Sequence, residues 1–374
     1  METVDITKKL VCIPSYVDGG CNEAKIGEFL FGHLKKFPWL DVEKQNVGKN
    51  RFNVIAKDKY QTRVLVCNHI DTVCPQDGWK TNPFECTKKN GQLFGLGTSD
   101  TKGNVAAILS AIKKSGPTKG AMYLFYVDEE YDFKGVKRFI DKYKNQISPE
   151  VVASGDGGML EIGNACRGLI EINFKVKGKS GHSAIPTSGN NAIVGSFQAF
   201  KKLEKYVSNF ESPDLGKSTI NLAWISGGQS KPDTGVLGKE GNVIPDIADL
   251  VVEVRTSDAK LRAQDVINKF EQYLNEQDLA LVSSSVRHDY GAWITDKEKL
   301  KQVCKLIENP QFTMAQNRGY VDLQMLWESF KKPVCFTFGA GEENTAHKPN
   351  EYVKIDKLET ATNFWEKFVE IECK

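Results

Sequence analysis

The chain has 374 residues and a formal net charge of +2, with acidic and basic residues interleaved along its length. This balance predicts neither a nucleic-acid partner nor a membrane partner, and no apolar run approaches the roughly 18 residues that a membrane span needs. The amino terminus lacks the basic and apolar regions of a signal peptide, and the nine scattered cysteines without C-x-x-C spacing favour reduced thiols. We therefore expect a cytoplasmic protein of roughly two domains.

Residues 1–168 alternate helix-like and strand-like segments. Two of the predicted strands are almost wholly apolar, which is typical of strands covered on both faces in an α/β sheet. The tetrapeptide Lys88-Lys89-Asn90-Gly91 predicts a hairpin turn. The predicted helices lie at 24–36 and after Asp100, the predicted sheet strands at 52–56, 64–67 and 122–127, and the hairpin strands at 84–87 and 93–96.

The order of the predicted elements changes near residue 169. The strands that follow lie at 169–176, 219–225, 248–255 and 280–286, and the helices at 192–206 and 263–275. Their order, β-α-β-β-α-β, is that of a ferredoxin-like unit. We therefore predict a separate domain at 169–287, inserted between the two parts of a first domain at 1–168 and 288–374.

The last part of the chain returns to the α/β pattern. Helices are predicted at 297–307 and 321–330, followed by a strand at 334–338 and a closing helix. One face of the closing helix is apolar, which predicts that this face packs against the core. The residues of that face are Leu358, Ala361, Trp365 and Phe368.

Three of the five histidines lie beside a predicted strand end or in a turn. His69 ends an apolar strand-like run, His182 lies in a glycine-rich turn, and His347 follows the strand at 334–338. Acidic residues lie at other predicted strand ends: Asp100, Glu129, Glu130 and Asp156. Imidazoles and carboxylates gathered at one edge of a sheet are the ligands that Zn²⁺ needs for a hydrolytic site.

Each of these motifs alone has other interpretations. His69 and Asp71 could form a structural hydrogen-bonded pair, and the two glutamates at 129–130 reach one site only if the chain turns there. The Gly95-Leu96-Gly97 sequence resembles a dinucleotide-binding motif, but Asp100 stands where the third glycine belongs. A serine hydrolase is disfavoured because the Gly-x-Ser-x-Gly elbow is absent from the sequence.

Six motifs together are far more specific than any one of them. They are NHIDTV (68–73), GTSDTKG (97–103), DEE (128–130), GHS (181–183) followed by NA (191–192), NVIP (242–245) and AHKPNE (346–351). In these motifs the chain resembles the di-zinc exopeptidase family of acetylornithine deacetylase, succinyl-diaminopimelate desuccinylase, glutamate carboxypeptidase, aminoacylase and carnosinase. The resemblance implies an α/β fold, with a mixed-sheet catalytic domain and an inserted ferredoxin-like α+β domain that serves as a lid and for dimerisation.

The resemblance also implies a dinuclear metal site with two zinc ions per chain, for which cobalt or manganese are possible substitutes. The implied ligands of one ion are His69, Asp100 and Asp156. Those of the other are Asp100, Glu130 and His347, so that Asp100 bridges the two ions.

Further site residues are implied by the same motifs. Glu129 resembles the general base, and Asp71 resembles the carboxylate that orients the His69 imidazole. The peptide bond between Asp100 and Thr101 is expected to be cis, as it often is in the family.

The inserted domain carries three more residues that match the family. His182 resembles a histidine that reaches the active site of the partner subunit in dimeric relatives and stabilises the oxyanion there. Arg255 and Asn242 match residues that contact the substrate, Arg255 by gripping a carboxylate. These matches predict a homodimer formed through the inserted domain.

Two departures from the family bear on the substrate. Leu96 stands where relatives often carry arginine, and Asp156 stands where deacetylases and carboxypeptidases usually carry glutamate. At the position of Asp156, aspartate is more common in relatives that act on substrates with a free amino group.

We therefore predict an amidohydrolase that acts on a small carboxylate-bearing substrate, most simply an N-acyl amino acid. A metallo-dipeptidase or aminopeptidase is the alternative. A non-catalytic binding or scaffold relative would be expected to have lost the base or a ligand, and every such position is filled here.

Overall fold

The structure of the chain, a computed structural model, describes residues 2–231, 237–314 and 320–374. Within these ranges the chain divides into two compact units. The first contains the described residues of Met1–Asn164, Thr295–Thr313 and Val321–Lys374, and the second contains those of Ala165–Ile294 and Met314–Tyr320.

The helices of the described residues fall in both units. They are α1 (Glu2–Val11), α2 (Ala24–Leu34), α3 (Lys102–Ser115), α4 (Lys134–Tyr143), α5 (Ala192–Val207), α6 (Ala263–Asn275), α7 (Lys301–Cys304), α8 (Leu323–Ser329) and α9 (Ile355–Cys373). Short 3₁₀ helices lie at Pro186–Ser188 and Lys297–Leu300. No described helix combines the length and the apolar character that crossing a membrane requires.

The strands of the described residues are distributed over five sheets. They are β1 (Asp41–Gly48), β2 (Arg51–Lys57), β3 (Val64–His69), β4 (Thr87–Lys89), β5 (Gln92–Phe94), β6 (Ala121–Tyr126), β7 (Val151–Ser154), β8 (Ala165–Cys166), β9 (Leu169–Lys177), β10 (Glu211–Ser212), β11 (Gly216–Lys217), β12 (Thr219–Gly228), β13 (Ile247–Arg255), β14 (Ala280–Tyr290), β15 (Trp293–Ile294), β16 (Val334–Thr337) and β17 (Tyr352–Lys354).

The main sheet of the first unit is mixed, with the order β1-β2-β6-β3-β7-β16. The strands β6, β3, β7 and β16 are parallel to one another, whereas β2 is antiparallel to both of its neighbours, β1 and β6. Every residue of β3 and β6 is buried, because helices cover both faces of the central strands. The mixed α/β fold predicted from the sequence is confirmed.

Two long helices pack side by side in the first unit. Helix α3 contacts both α1 and α9, and its apolar positions 105, 108, 109 and 112 are all buried. The predicted apolar face of α9 is buried as well, including Trp365 and Phe368. The amphipathic spacing of 3.6 residues identified the core-facing side of α9 correctly, whereas α3 is buried on nearly all sides, from Lys102 through Ile112 and at Ser115.

The second unit is built on a four-stranded antiparallel sheet with the order β12-β13-β9-β14. Residues 170, 172, 174 and 176 of β9 are buried in a core that also contains the apolar faces of α5 and α6. Strand order and connectivity are those of the predicted ferredoxin-like unit.

Several element boundaries differ from the prediction. The hairpin strands are β4 and β5, so the turn consists of Asn90 and Gly91 alone, both with positive φ (51° and 75°) as a two-residue primed turn requires. The helix predicted at 297–307 is a 3₁₀ turn followed by the one-turn helix α7. The helices α1 and α4 and the strand β1 were not predicted.

Candidate metal centre and active site

The candidate ligands lie at one edge of the main sheet. His69 is the last residue of β3, the segment 128–130 follows β6, and Asp156 follows β7 by two residues. His347 lies in the segment after β16. Because these four strands are parallel, their carboxyl ends meet at the same edge, where open α/β sheets bind their ligands.

The structure brings the predicted metal ligands together in two groups. One group is His69, Asp100 and Asp156, and the other is Asp100, Glu130 and His347. Within each group the ligand atoms lie within 4.8 Å of one another. Asp100 belongs to both, with Oδ1 3.2 Å from His69 Nε2 and Oδ2 3.3 Å from His347 Nε2.

A third group places Glu129 beside His69 and Glu130. Neighbouring residues of a regular strand point to opposite faces, so Glu129 and Glu130 can share a site only where the strand has ended. The strand β6 ends at Tyr126, and Asp128 has a φ of 73°, which starts the turn.

Buried ion pairs hold this turn in place. The Arg51 guanidinium donates to the Asp128 carboxylate and to both oxygens of Glu23, at 2.7 Å and 2.5 Å. The other oxygen of Asp128 accepts the backbone N–H groups of Asp132 (3.3 Å) and Lys134 (3.1 Å). The turn that carries the two glutamates is thus tied to β2 through a charged network.

Asp71 lies on the Nδ1 side of the His69 imidazole. Its Oδ1 is 3.5 Å from His69 Nδ1, and its Oδ2 accepts the backbone N–H of Glu130 at 3.0 Å. Both Asp71 and His69 are buried. The carboxylate therefore contacts the side of the imidazole that faces away from Asp100, as well as the turn that carries Glu130.

The backbone around Asp100 has the predicted form. The Asp100–Thr101 peptide bond is cis, as the family resemblance implied. Gly97, in the preceding turn, has a φ of +83°, and a Cβ there would lie 3.0 Å from the side chains of Lys102 and Thr72. Only glycine fits at this position.

The electrostatics of the site reflect a surplus of carboxylates. Burial raises the pKa of Glu129 well above its ordinary value; nearby Asp322 and Glu130 raise it further, while the His69 imidazole opposes them. Burial also raises the pKa of Glu130, against the effect of its hydrogen bond with His347. Several carboxylates that are held out of water are stable in their charged form only if positive charge lies nearby.

The neighbouring carboxylates in turn favour the charged form of both histidines. Hydrogen bonds with Asp100 and Glu130 raise the pKa of His347 to about 10. Burial alone would lower the pKa of His69, but its hydrogen bonds with Asp100 and Asp71 raise it well above the ordinary value. Burial raises the pKa of Asp100, but its hydrogen bonds with His347 and His69 lower it by more, so the pKa lies below its ordinary value.

One buried acid near the site was missed by the sequence analysis. The Tyr126 hydroxyl donates to Asp322 Oδ1 at 2.7 Å, and both side chains are buried. Burial raises the pKa of Asp322 to about 7. The hydrogen bond from Tyr126 and the His69 imidazole oppose this shift, whereas the Asp156 carboxylate adds to it. No strand end or acidic pair in the sequence marks Asp322; only the fold brings it to Tyr126.

His182 and Asn242 lie side by side in the second unit. Residue 182 forms a β-bridge with Val243, and the backbone N–H of Ser183 donates to the Asn242 carbonyl at 3.0 Å. Both His182 and Asn242 are exposed, and His182 Nδ1 accepts the backbone N–H of Ala184 at 3.1 Å. The glycine-rich turn therefore presents the imidazole at the surface of this unit.

Arg255 lies at the far end of β13 from Asn242. The strand has nine residues and is about 30 Å long, with Asn242 before its first residue and Arg255 as its last. Arg255 Nε donates to Glu253 Oε1 at 2.8 Å. Within one copy of this unit, a single small substrate cannot contact both Arg255 and Asn242.

Both the sequence and the fold of the chain are similar to those of known proteins. The sequence profile of Peptidase family M20/M25/M40 matches residues 65–371. The acetylornithine deacetylase of Pectobacterium carotovorum is 33% identical over 192 residues, which is 48% of this chain and 50% of that protein. The chain thus spans about half the length of the curated relatives that it matches.

Solved structures share the fold over nearly the whole chain. A tripeptidase from Staphylococcus aureus has a TM-score of 0.75 at 18% identity, covering 99% of this chain and 98% of that one. A dinuclear metal binding peptidase of the M20 family from Bacillus subtilis has a TM-score of 0.70 at 16% identity, covering 99% and 97%. The family profile covers most of the sequence, as the six motifs predicted, and the chain belongs to Peptidase family M20/M25/M40.

Proposed function

We propose that the chain is a metal-dependent hydrolase that cleaves the amide bond of a small carboxylate-bearing substrate. The observation that carries this proposal is the pair of ligand groups that share Asp100 at the carboxyl edge of the sheet. Two binding groups joined by one carboxylate are suited to two metal ions a short distance apart.

The donor set fits two zinc ions. Each group offers one imidazole nitrogen and two carboxylates, which are ligands that zinc accepts and that cobalt and manganese accept as well. The buried carboxylates need positive charge, and dications would replace the protons now held by the histidines. When bound, the metal ions would polarise the scissile carbonyl and make a water molecule more acidic.

We assign the proton transfers to Glu129. This side chain lies beside His69 and Glu130 but outside the two groups that share Asp100. Burial raises the pKa of Glu129, so its carboxylate form is a stronger base, which suits a residue that takes a proton from water and then passes it to the leaving amine. Asp71 would keep the His69 imidazole oriented, since it contacts the far side of that ring.

We further propose that residues 169–287 act as a lid and dimerisation domain. Within the described part of this unit, β12 is an edge strand and carries Trp224, which is 50% exposed. On the neighbouring helix α5, Val194 and Phe197 are also half exposed. Large apolar side chains exposed on an edge strand and on the helix that contacts it favour a protein interface, and a second copy of the chain is the partner we propose.

In such a homodimer, His182 would act on the substrate bound by the partner subunit. The exposed imidazole could donate a hydrogen bond to the carbonyl oxygen as negative charge develops there. Asn242, next to it, would contact the same substrate. Arg255 would have to reach the substrate carboxylate from another direction, because it lies at the opposite end of β13 from His182 and Asn242.

The first substrate class we propose is the N-acyl amino acids, and the second is dipeptides with a free amino terminus. The similarity to an acetylornithine deacetylase supports the first class. The aspartate at position 156, where deacetylases usually have glutamate, supports the second. Cytoplasmic metabolism of amino acids is the setting we propose for either reaction.

A hydrolysis screen tests the function. The chain is stripped of metal, reloaded with zinc, cobalt or manganese, and incubated with acetylornithine, succinyl-diaminopimelate, other acyl amino acids and unblocked dipeptides. Release of free amine only from metal-loaded protein supports the proposal, and the preferred substrate decides between the two classes. If the metal-free chain is equally active, or no member of either class is cleaved with any metal, the proposal is wrong.

A further inference from the structure

Glu351 links two segments of the candidate metal centre. It lies four residues after His347, and its side chain is only 1% exposed. Three backbone N–H groups of one loop donate to its carboxylate: Gly97 to Oε2 at 2.8 Å, and Ser99 and Asp100 to Oε1 at 2.7 Å and 2.9 Å. The last of these donors belongs to the residue shared by both ligand groups.

Two further hydrogen bonds join the loop at 95–100 to the segment that contains His347. The Glu351 carbonyl accepts the backbone N–H of Gly95 at 3.0 Å, and Ser99 Oγ accepts the backbone N–H of Glu342 at 2.6 Å. The loop at 95–100 is therefore attached to the chain on both sides of His347.

The contacts require a carboxylate. One oxygen serves Gly97 and the other serves both Ser99 and Asp100, so both oxygens must accept. Burial raises the pKa of Glu351 to about 8, whereas the three N–H donors favour its ionised form, because hydrogen bonds to a carboxylate are stronger than those between neutral groups. Glutamine would present an N–H group to one of these donors and leave that donor unsatisfied in the interior.

We infer that Glu351 is a positioning residue for the metal centre. It fixes the backbone from which the Asp100 side chain projects between His69 and His347, and the spacing of four residues couples that backbone to His347 itself. Displacing Asp100 by a fraction of an ångström would alter both ligand groups at once. This inference rests on the proposed function, because it assumes that the two groups bind metal.

Asp58 provides a matched control. Its carboxylate is buried, and Oδ2 accepts the backbone N–H groups of Gly120 and Ala121 at 2.7 Å and 2.9 Å. These donors lie at the start of β6, whereas the candidate site lies beyond its end. Asp58→Asn therefore removes the same type of contact without touching the metal centre.

The test is a cobalt titration of the metal-free wild type, Glu351→Gln and Asp58→Asn, followed by visible absorption, with folding checked by circular dichroism. We expect Glu351→Gln to bind Co²⁺ roughly 10- to 100-fold more weakly with an altered spectrum, as is typical of residues that orient metal ligands. Asp58→Asn should lose thermal stability but keep the affinity and spectrum of the wild type.

Each outcome decides a different point. Wild-type affinity and an unchanged spectrum in Glu351→Gln would overturn the inference. If Glu351→Gln does not fold, Glu351→Asp is titrated instead: it keeps both acceptor oxygens but is one methylene shorter, so weakened cobalt binding supports the inference and wild-type binding overturns it. A wild type that binds no cobalt would contradict the proposed function itself, whatever the variants do.

Discussion

The two oxygens of the Asp100 carboxylate lie against different histidines, Oδ1 3.2 Å from His69 Nε2 and Oδ2 3.3 Å from His347 Nε2. The two imidazoles come from segments 278 residues apart in the sequence (347 − 69) and are joined by this one side chain. Asp100 is therefore the residue on which both halves of the proposed centre depend, whereas each histidine belongs to the half that it completes.

This relationship predicts unequal metal losses. Asp100→Asn should lower the bound zinc from two ions per chain to below one, because both groups lose a charged ligand. His347→Ala should retain about one ion, since the group of His69, Asp100 and Asp156 stays intact. Metal analysis after gel filtration measures the difference, with Asp58→Asn as the control. Equal zinc contents in the two variants would contradict a bridging role.

Glu129→Gln should separate chemistry from metal binding. The amide cannot take a proton from water, so kcat should fall by roughly 10²–10⁴-fold, the usual contribution of general acid–base catalysis. Zinc content should stay at the wild-type value, because Glu129 lies outside both groups that share Asp100. Glu150→Gln, which changes a solvent-exposed glutamate, is the matched control. Loss of zinc in Glu129→Gln would make this residue a ligand instead.

Metal binding should release protons. With a pKa of about 10, His347 is protonated in the metal-free chain at pH 7, and it must lose that proton to bind a metal. Calorimetric titration with zinc at pH 7 in buffers of different ionisation enthalpy counts the protons. We expect at least one proton per chain from His347, and correspondingly fewer from His347→Gln. An apparent binding enthalpy that is the same in every buffer would refute this assignment.

The stability of the metal-free chain should decrease at alkaline pH. The pKa of His347 is raised from 6.5 to about 10 in the folded state, so its contribution to stability is complete below pH 6.5 and is lost as the pH rises through 10. The thermal midpoint of the metal-free protein should therefore fall between pH 7 and pH 10. The decrease should be smaller in His347→Gln, and a wild-type decrease no larger than that of the variant would exclude His347 as its source.

Much of the fold follows from local patterns, and the exceptions have physical reasons. The strands β3 and β6 are recognisable because helices cover both their faces, which makes them almost wholly apolar. The edge strand β1 escaped prediction because its exposed positions carry polar residues such as Asp41 and Asn46. The helix predicted at 297–307 is helical only over Lys297–Leu300 and Lys301–Cys304, because its apolar spacing continues to residue 307, beyond the last helical residue.

The candidate site also contains residues that local sequence patterns predict and residues that they do not. Its ligands lie in motifs that can be recognised within a few residues of sequence. Asp322 has no such motif, and its contact with Tyr126 joins positions 196 residues apart. Arg51 likewise joins Glu23 to Asp128, and neither pairing leaves a local pattern. Long-range contacts of this kind follow from the fold and cannot be predicted from nearby sequence.

His182 should act in trans if the chain forms the proposed dimer. His182→Ala should keep its zinc but be nearly inactive. Mixing it with Glu129→Gln under conditions of subunit exchange should restore activity, because some hybrid dimers would hold one site with an intact Glu129 and the partner's intact His182. Exchange is verified by mass spectrometry with isotopically labelled subunits. Complete exchange without recovery would show that His182 serves its own subunit or does not take part.

The order of the ligands along the chain has a consequence for biosynthesis. His69, Asp100 and Asp156 have all been synthesised before the ribosome reaches the second unit, but the group with His347 stays incomplete until the segment that follows the second unit has emerged. The strand β16, which precedes His347, joins the sheet at its edge, beside β7 alone. It can therefore be added without opening strand pairs already formed, and a nascent chain that stops short of it would carry one half of the centre and never the other.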